Sequence, residues 1–300
     1  MPVKVVEDLP VIQLLEQEEI FTMGSKRAVT QDIRPLKIAI VNLMPNKIAT
    51  ELQLLRLLSQ SPLQIEVDFI QTSSHQAKHT STTYLNDFYL SYEDIKNNYY
   101  DGLIITGAPV EKMNFEEVDY WRELQAIMDW SQSHVTSNLH ICWGAQAGLY
   151  HFYGVEKILY DEKIFGIFEN RIVAHHPYIR GFNDYFYSPQ SRYTGINEAQ
   201  MQQAPIKIIA DNPELGTLVA VSNDQRNLFV LGHMEYDTDT LATEYQRDLE
   251  RGLTTAPPQN YYYGDPQKNI IRNTWRSEAF LLYQNWLNDV YQRTPYQLGK

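Results

Sequence analysis

The first half of the chain alternates short apolar runs with longer segments whose apolar residues recur at helical spacing. Four short runs are rich in aliphatic residues, as is typical of buried strands: 36–43, 63–70, 102–106 and 135–139. Leucines recur along residues 47–59, and apolar residues recur along 115–133, which predicts two amphipathic helices. Strands that alternate with helices predict a parallel sheet covered by helices on both faces.

Turn residues separate these segments. Met44-Pro45-Asn46 ends the first strand, and Asn46 is in the position of a helix N-cap. Residues 72–85 are rich in serine, threonine and histidine and are interpreted as a loop.

The second half of the chain is less regular. Residues 156–174 mix aliphatic and charged residues and are predicted to form a hairpin, whereas 175–196 are aromatic and read as a loop. Three further apolar runs predict strands: 206–209, 218–222 and 227–231. Helical spacing returns in 239–253 and 275–291, on either side of a proline- and tyrosine-rich loop at 254–267.

No internal repeat and no clean linker divides the chain. Residues 1–34 carry mixed charge and weak periodicity, and they are expected to form an N-terminal extension packed on the body. Residues 35–300 are expected to form a single domain, which is a possible length for one α/β domain.

Composition narrows the class of protein. Apolar residues make up 43% and charged residues 21% of the 300 residues, as in ordinary globular proteins. The net charge of −12 argues against nucleic acid or an anionic membrane surface as the main partner. The N-terminus lacks the apolar core of a signal peptide, and no apolar run approaches the roughly 20 residues needed to cross a bilayer. A single cysteine fits a reducing compartment, so a cytoplasmic protein is expected.

That cysteine, Cys142, follows the predicted strand 135–139 and precedes Gly144 and a run of helix-forming residues. A cysteine at a sharp turn from strand to helix resembles a nucleophile elbow, which exposes the side chain at the carboxyl end of the sheet. The N-terminus of the following helix favours a thiolate over a thiol. The pattern predicts covalent acyl chemistry, although a lone cysteine is often only a small buried hydrophobe.

A base with a neighbouring carboxylate follows a later strand. His233 and Glu235 are two residues apart, so in an extended chain they project to the same side. A cysteine nucleophile needs an imidazole to accept its proton and a carboxylate to orient that imidazole. The same pair is also compatible with a metal, but no third ligand with metal-site spacing accompanies it. The adjacent pair His175-His176 is read as a surface loop rather than a metal site. The chain contains no G-x-x-x-x-G-K-[ST], G-x-G-x-x-G or G-x-S-x-G motif.

The segment Ile141-Cys142-Trp143-Gly144-Ala145-Gln146 and the pair His233 and Glu235 resemble the class I glutamine amidotransferase superfamily, although His140 stands where that superfamily usually has glycine. The chain is more similar to the amidotransferase-like branch of the homoserine O-acyltransferases of methionine biosynthesis. Six segments carry this resemblance, in order along nearly the whole chain: 38–47, 106–111, 140–148, 163–166, 188–192 and 232–237. It implies a flavodoxin-like three-layer sandwich with a mostly parallel central sheet and a cysteine nucleophile elbow.

The resemblance also implies a ping-pong reaction without a cofactor or metal. Cys142 would take the acetyl group of acetyl-CoA as a thioester, and His233, oriented by Glu235, would act as base on the thiol and then on the hydroxyl of L-homoserine. The backbone N–H of Trp143 is a natural oxyanion donor. A second donor is expected from 43–47, with Lys47 as a candidate, or from Gly107-Ala108.

Family contacts to homoserine correspond to Lys163, Ser191 and Arg247, and Arg247 is suited to bind a carboxylate as a bidentate pair. Glu111 and Ser191 correspond to positions linked to acyl-CoA specificity. In the family, glutamate at the position of Glu111 implies an acetyl donor, and glycine there implies a succinyl donor. A succinyl group carries a free carboxylate, so Glu111 would repel it if its side chain faces the pocket rather than solvent.

Three alternatives stay open. They are a homoserine O-succinyltransferase, a glutaminase subunit that supplies ammonia to a synthase, and a non-catalytic protein on an inherited fold. A homodimer is implied by the family resemblance alone.

Overall fold

A computed structural model describes residues 3–4, 9–17, 22–23, 34–74, 80–264 and 270–295. The strands are β1 Val3–Lys4, β2 Thr22–Met23, β3 Leu36–Val41, β4 Ile65–Ile70, β5 Tyr89–Leu90, β6 Tyr100–Ile105, β7 Val135–Ile141, β8 Lys157–Ile172, β9 Tyr185–Ile196, β10 Ile206–Asn212, β11 Gly216–Ser222 and β12 Asn227–Val230. The helices are α1 Val11–Gln17, α2 Lys47–Ser59, α3 Thr82–Phe88, α4 Tyr92–Ile95, α5 Trp121–His134, α6 Trp143–Tyr153, α7 Glu198–Gln203, α8 Thr240–Glu250 and α9 Arg276–Arg293. Short 3-10 turns occupy Phe115–Glu117 and Pro177–Ile179.

The described strands form one sheet in the order β2-β1-β4-β3-β6-β7-β12-β11-β10-β8-β9, and β5 pairs with β4. Every pair from β2 to β12 in this order is parallel, whereas the pairs from β12 to β9 are antiparallel. The predicted α/β architecture with a mostly parallel central sheet is confirmed.

The two faces of the sheet pack against different helices. Alternate side chains of a strand point to opposite faces, and in β3 the side chains of Ile38 and Ile40 join the core cluster that includes Trp286 of α9. Those of Ala39 and Val41 join a second cluster with the residues of α5. The sheet is therefore the middle of three layers, and its central strands are apolar on both faces as expected of a buried parallel sheet.

Helix α2, which follows β3, begins and ends at the residues that the sequence predicts. Asn46 is the N-cap of α2, and its side chain accepts a hydrogen bond from the backbone N–H of Ala49 at 3.3 Å. The predicted helix 115–133 is instead a 3-10 turn followed by α5. The predicted loop 72–85 has residues 75–79 outside the described part, and α3 begins at Thr82 behind the N-cap Ser81.

The prediction for residues 156–196 was wrong. Residues 157–172 form one long strand, β8, and its antiparallel partner is β9, which lies in the segment predicted as a loop. β10 pairs with β8 only at residues 171–172, so most of β8 and β9 extends beyond the sheet as a two-stranded arm. In β9 the alternate buried residues Ser188, Gln190, Arg192 and Thr194 are polar, and this removes the apolar alternation that identifies a strand.

Part of the N-terminal segment packs on this body. β1 pairs in parallel with β4, and α1 buries Val11 and Leu15 in the same core cluster as α2 and α9. Residues 5–8, 18–21 and 24–33 lie outside the described residues.

The pairing of β7 with β12 determines where the reactive residues meet. These strands are parallel neighbours in which Ile141 pairs with Val230, and the backbone N–H of Cys142 donates to the carbonyl of Val230 at 2.8 Å. Cys142 follows β7 directly, and His233 lies three residues beyond the end of β12. Both residues therefore lie at the carboxyl edge of the sheet, where ligands bind in open α/β folds.

The close approach of α6 to β6 depends on Gly144. A Cβ atom added to Gly144 would lie 2.6 Å from the carbonyl oxygen of Thr106 and 2.7 Å from that of Ile105. Backbone atoms cannot move aside without shifting the strand. We expect Gly144→Ala to lower the free energy of unfolding by about 1–3 kcal/mol, measured by urea denaturation.

Gly154→Ala is the matched control. Gly154 has φ of 68° but has no neighbouring atom within 4 Å of an added Cβ, so only backbone strain of about 1 kcal/mol is expected. A Gly144→Ala protein as stable as the wild type would show that α6 does not need this close approach.

Candidate active site

Cys142 lies at the turn between β7 and α6 in a backbone conformation that L-residues rarely adopt. Its φ is 50° and its ψ is −113°, and it is one of three described non-glycine residues with positive φ. Cys142 is 5% exposed, and its carbonyl accepts a hydrogen bond from the N–H of Gln146 in the first turn of α6. Strained backbone of this kind persists only where the surrounding structure holds it, and it concentrates at functional sites.

His233 and Glu235 lie close to this cysteine. The Nδ1 atom of His233 is 2.7 Å from Oε1 of Glu235, and both side chains are less than a tenth exposed. The side chain of Cys142 lies close enough to His233 to contribute to the raised pKa of its imidazole. A Cβ atom on Gly107 would lie 3.4 Å from Cβ of Cys142 and 3.5 Å from Cε1 of His233, so both side chains border this glycine.

The imidazole of His233 is held in its charged form. Burial lowers the pKa of His233, but the negative charges of Cys142 and Glu235 and the hydrogen bonds to both residues raise it more, so the pKa lies well above 6.5. At neutral pH the imidazole of His233 therefore carries a positive charge next to Cys142 and Glu235. The thiolate is the nucleophilic form of cysteine.

These residues open into a cavity of about 300 Å³ that unites most of the predicted site. The predicted residues that line it are Glu111, Cys142, Lys163, Ser191, His233 and Arg247. The apolar part of its wall comes from residues such as Met44, Pro45, Val110 and Leu253. Glu235 lies behind His233 and lines a separate, larger cavity of about 610 Å³ on the other side of residues 234–239. The smaller cavity is the candidate active site, because Cys142 and His233 both line it.

A cluster of opposite charges forms one side of the cavity. Nζ of Lys163 donates to Oδ2 of Asp248 at 3.1 Å and lies 3.6 Å from Oε2 of Glu244. Arg247 donates from Nε and Nη2 to Oδ1 of Asp248, and its side chain is 46% exposed. The hydroxyl of Ser191 donates to Oε2 of Glu244. The arm formed by β8 and β9 thus meets α8 through these charges.

Glu111 faces this cavity from the turn that follows β6. Burial raises the pKa of Glu111, while a hydrogen bond from the backbone N–H of Tyr193 and the positive charges of His233 and Lys163 act in the opposite direction. The carboxyl group of Glu111 therefore lies at the wall of the cavity, where burial outweighs these effects and its pKa is raised.

The two predicted oxyanion residues have different surroundings. Trp143 is the first residue of α6, and the backbone N–H groups in the first turn of a helix have no partner within the helix. Its indole is fully buried in the core. Lys47 does not line the cavity: its Nζ donates to the carbonyl of Asn42 at 2.5 Å, and burial lowers its pKa to about 8.

The other histidines singled out by the sequence are structural. His140 is fully buried, its ring stacks on Phe229, and burial lowers its pKa to about 4, so it is neutral at physiological pH. His176 lies 2.8 Å from Oε1 of Gln225. Within the described ranges, no group of three or more histidine, cysteine or acidic residues has the geometry of a metal site. No helix of the described segments has the length and apolarity to cross a membrane.

Three residues at the site were not indicated by the sequence pattern. The spacing of four residues between Glu244 and Asp248 places them on one face of α8, and both line the cavity. Tyr236 stacks on His233, with ring centroids 4.1 Å apart. Helical spacing was the signal that could have identified Glu244 and Asp248. The sequence contains no pattern that indicates the contact of Tyr236 with His233.

Solved structures with a similar fold support this architecture. A glutamine amidotransferase from Thermotoga maritima is 11% identical, with a TM-score of 0.57 over 86% of this chain and 99% of that chain. A second glutamine amidotransferase, from Methylobacillus flagellatus, is 14% identical, with a TM-score of 0.55 over 90% of this chain and 100% of that chain. At this identity the likeness shows the fold alone, and that fold is the class I glutamine amidotransferase-like one.

Sequence relatives are much closer. A homoserine O-acetyltransferase from Lachnoclostridium phytofermentans is 52% identical over 99% of this chain and 100% of its own length. The homoserine O-acetyltransferase of Bacillus subtilis is 50% identical over 99% of each chain. The family described as homoserine O-succinyltransferase matches residues 2–296. The chain belongs to this family of homoserine O-acyltransferases.

Proposed function

We propose that this protein is an L-homoserine O-acetyltransferase that transfers acetyl from acetyl-CoA to the hydroxyl of L-homoserine. The observation that carries this proposal is the cavity itself, where Cys142 and His233 face the same space as the carboxylate of Glu111. Curated relatives with this name are about half identical over the whole chain. With this function the protein catalyses the first committed step of methionine biosynthesis.

In the first half-reaction, the thiolate of Cys142 attacks the carbonyl carbon of acetyl-CoA. The tetrahedral oxyanion is stabilised by the backbone N–H of Trp143 and by a second donor from the loop at Gly107-Ala108 or at 43–47. The carbon–sulfur bond to CoA breaks, and His233 gives its proton to the departing thiolate of CoA. The enzyme then holds acetyl as a thioester and His233 is neutral. The turn at Cys142 thus acts as a nucleophile elbow.

In the second half-reaction, the hydroxyl oxygen of homoserine attacks the thioester carbonyl while neutral His233 accepts the hydroxyl proton. The bond to the sulfur of Cys142 breaks, and O-acetyl-L-homoserine leaves. Glu235 holds the imidazole with its Nε2 toward the cysteine and stabilises the imidazolium in both half-reactions.

The charged cluster is suited to the zwitterionic end of homoserine. The guanidinium of Arg247 is half exposed and offers donors to the substrate carboxylate. The carboxylates of Glu244 and Asp248 attract the ammonium group of homoserine. Lys163 and Ser191 hold the carboxylates of Glu244 and Asp248 in place. We assign these four residues and Arg247 to the binding of homoserine.

Glu111 selects the donor by charge. A succinyl group in the cavity would bring a second carboxylate near Glu111, and at about 4 Å with an effective dielectric near 20 the repulsion is roughly 4 kcal/mol before screening. An acetyl group has no such charge. The second candidate, homoserine O-succinyltransferase, is favoured only by the description of the family that matches residues 2–296.

We also propose that residues 35–300 act as one catalytic domain with 1–34 as an extension, that the protein works in the cytoplasm, and that it is a homodimer without a cofactor. The dimer rests on the family resemblance alone.

The first test is CoA release by the purified protein with L-homoserine, compared for acetyl-CoA and succinyl-CoA. With acetyl-CoA alone, mass spectrometry should show one acetyl group on Cys142, and Cys142→Ala should show none. A higher kcat/KM for succinyl-CoA would leave the triad in place but overturn the donor assignment. Ammonia release from glutamine, without CoA release, would instead indicate a glutaminase.

Glu111→Gly should increase kcat/KM for succinyl-CoA at least about tenfold, because even a third of the expected repulsion corresponds to this factor. Glu111→Gln is the control that removes the charge with little change in volume. Since the pKa of Glu111 is raised, the discrimination in the wild type should weaken as the pH falls through that value. Equal use of succinyl-CoA by the wild type and both variants would contradict selection by charge.

The charge of His233 predicts a pH-dependent reactivity of Cys142. The support that an imidazolium gives to the thiolate is present below the raised pKa of His233 and is lost as the pH rises through it. His233→Gln should therefore slow alkylation by iodoacetamide by at least about tenfold at about pH 7, and less at about pH 9.5, where an ordinary thiol with a pKa of about 8.5 ionises without help. A constant ratio of the two rates across this range would show that the imidazolium does not support the thiolate.

A further inference from the structure

Tyr236 connects the catalytic triad with the charged side of the cavity. Its side chain is buried, and its ring lies parallel to the imidazole of His233, with centroids 4.1 Å apart and an angle of 19° between the planes. The edge of that imidazole is fixed by Glu235, and the backbone N–H of His233 donates to the carbonyl of Pro189 at 2.9 Å. Tyr236 therefore covers one face of the imidazole, while Glu235 holds its edge and Pro189 its backbone.

The hydroxyl of the same side chain points to the substrate side. It donates to Oε1 of Glu244 at 2.8 Å, while Ser191 donates to Oε2 of the same carboxylate. Burial and the neighbouring carboxylates raise the pKa of Tyr236 well above 10, so the phenol keeps its proton and acts as a donor at every working pH. The direction in which Glu244 presents its charge is thus set by two hydroxyl groups.

The backbone around Tyr236 is anchored, so the ring cannot swing out to follow either partner. Nε1 of Trp275 donates to the carbonyl of Tyr236 at 2.9 Å. The hydroxyl of Tyr261 donates to the carbonyl of Thr238 at 2.5 Å and accepts the N–H of Ala242 at the start of α8. Tyr261, from the tyrosine-rich loop that had no explanation in the sequence, therefore secures the segment that carries Tyr236.

We propose that Tyr236 is a positioning residue that fixes the imidazole of His233 through its ring and the carboxylate of Glu244 through its hydroxyl. The assignment of the second contact to homoserine binding rests on the proposed function. Because the two contacts use different parts of one side chain, they can be removed separately. The ring is needed in both half-reactions, since His233 acts in both, whereas the hydroxyl is needed only where Glu244 meets homoserine.

Two variants separate these contacts. Tyr236→Phe keeps the ring and removes the hydroxyl. We expect the rate of Cys142 acetylation by acetyl-CoA to stay within about twofold, and KM for homoserine to rise about tenfold, as for the loss of a hydrogen bond to a charged group. Tyr236→Leu also removes the aromatic face, and both the acetylation rate and the transfer to homoserine should fall at least about tenfold.

Tyr178→Phe is a matched control. Tyr178 is a buried tyrosine whose hydroxyl donates to Oδ2 of Asp289 at 2.7 Å, and neither residue lines the active-site cavity. It should lower the melting temperature by an amount similar to Tyr236→Phe and leave both half-reactions unchanged. Acetylation is followed by stopped-flow CoA release without homoserine, and transfer by steady-state kinetics with varied homoserine.

The alkylation of Cys142 by iodoacetamide gives a readout that does not depend on the substrate. Its pH dependence should be that of the wild type in Tyr236→Phe and should change in Tyr236→Leu. If the wild type is not acetylated, the proposed function fails, but this readout still decides whether the ring orients His233. Equal slowing of both half-reactions in Tyr236→Phe would overturn the separation of roles. Wild-type behaviour of both variants in every assay would overturn the proposal as a whole.

Discussion

The active site depends on the parallel pairing of β7 with β12. These two strands are far apart in the chain, and their pairing places Cys142 and the segment leading to His233 at the same edge of the sheet. The N–H of Cys142 is itself bonded to β12, so the turn that strains the cysteine backbone is also the last rung of this pairing. A slip in register would exchange the faces of the strand and separate the nucleophile from its base. Strand pairing and catalytic geometry are therefore one constraint.

Charge is the second constraint, and it acts locally. The chain carries a net charge of −12, yet the cavity is lined by three carboxyl groups, of Glu111, Glu244 and Asp248, and by four cationic groups, of Lys112, Lys163, His233 and Arg247. Buried charges are stable only when they are paired and hydrogen-bonded, and the cluster on α8 meets this condition. Glu111 is the exception, because burial outweighs the positive charges around it and raises its pKa. A carboxylate with weaker compensation is the more sensitive to a second negative charge beside it.

The residues that could be predicted from the sequence are those whose signal is local. Asn46 caps α2 because an asparagine before a run of leucines is a short-range pattern, and Cys142 was identified because glycine and small residues follow a buried strand. The arm of β8 and β9 was missed because a strand with polar residues on both faces has no period of two in its hydrophobicity. The contact of Tyr236 with His233 was missed for a different reason. These residues meet because the chain turns beyond the end of β12, where the N–H of Tyr236 donates to the carbonyl of His233 at 3.3 Å, and no hydrophobic pattern marks this turn.

The division of the molecule explains how one fold supports different reactions. The glutamine amidotransferases with the same fold share only 11–14% of residues with this chain, so the common architecture does not determine the substrate. In this protein Cys142 and His233 follow neighbouring strands of the sheet, whereas the residues proposed to bind homoserine lie on the arm of β8 and β9 and on α8. The two sets can therefore change independently, except where a side chain touches both. Tyr236 is such a side chain, and a change of substrate that moves Glu244 also alters the support of the base.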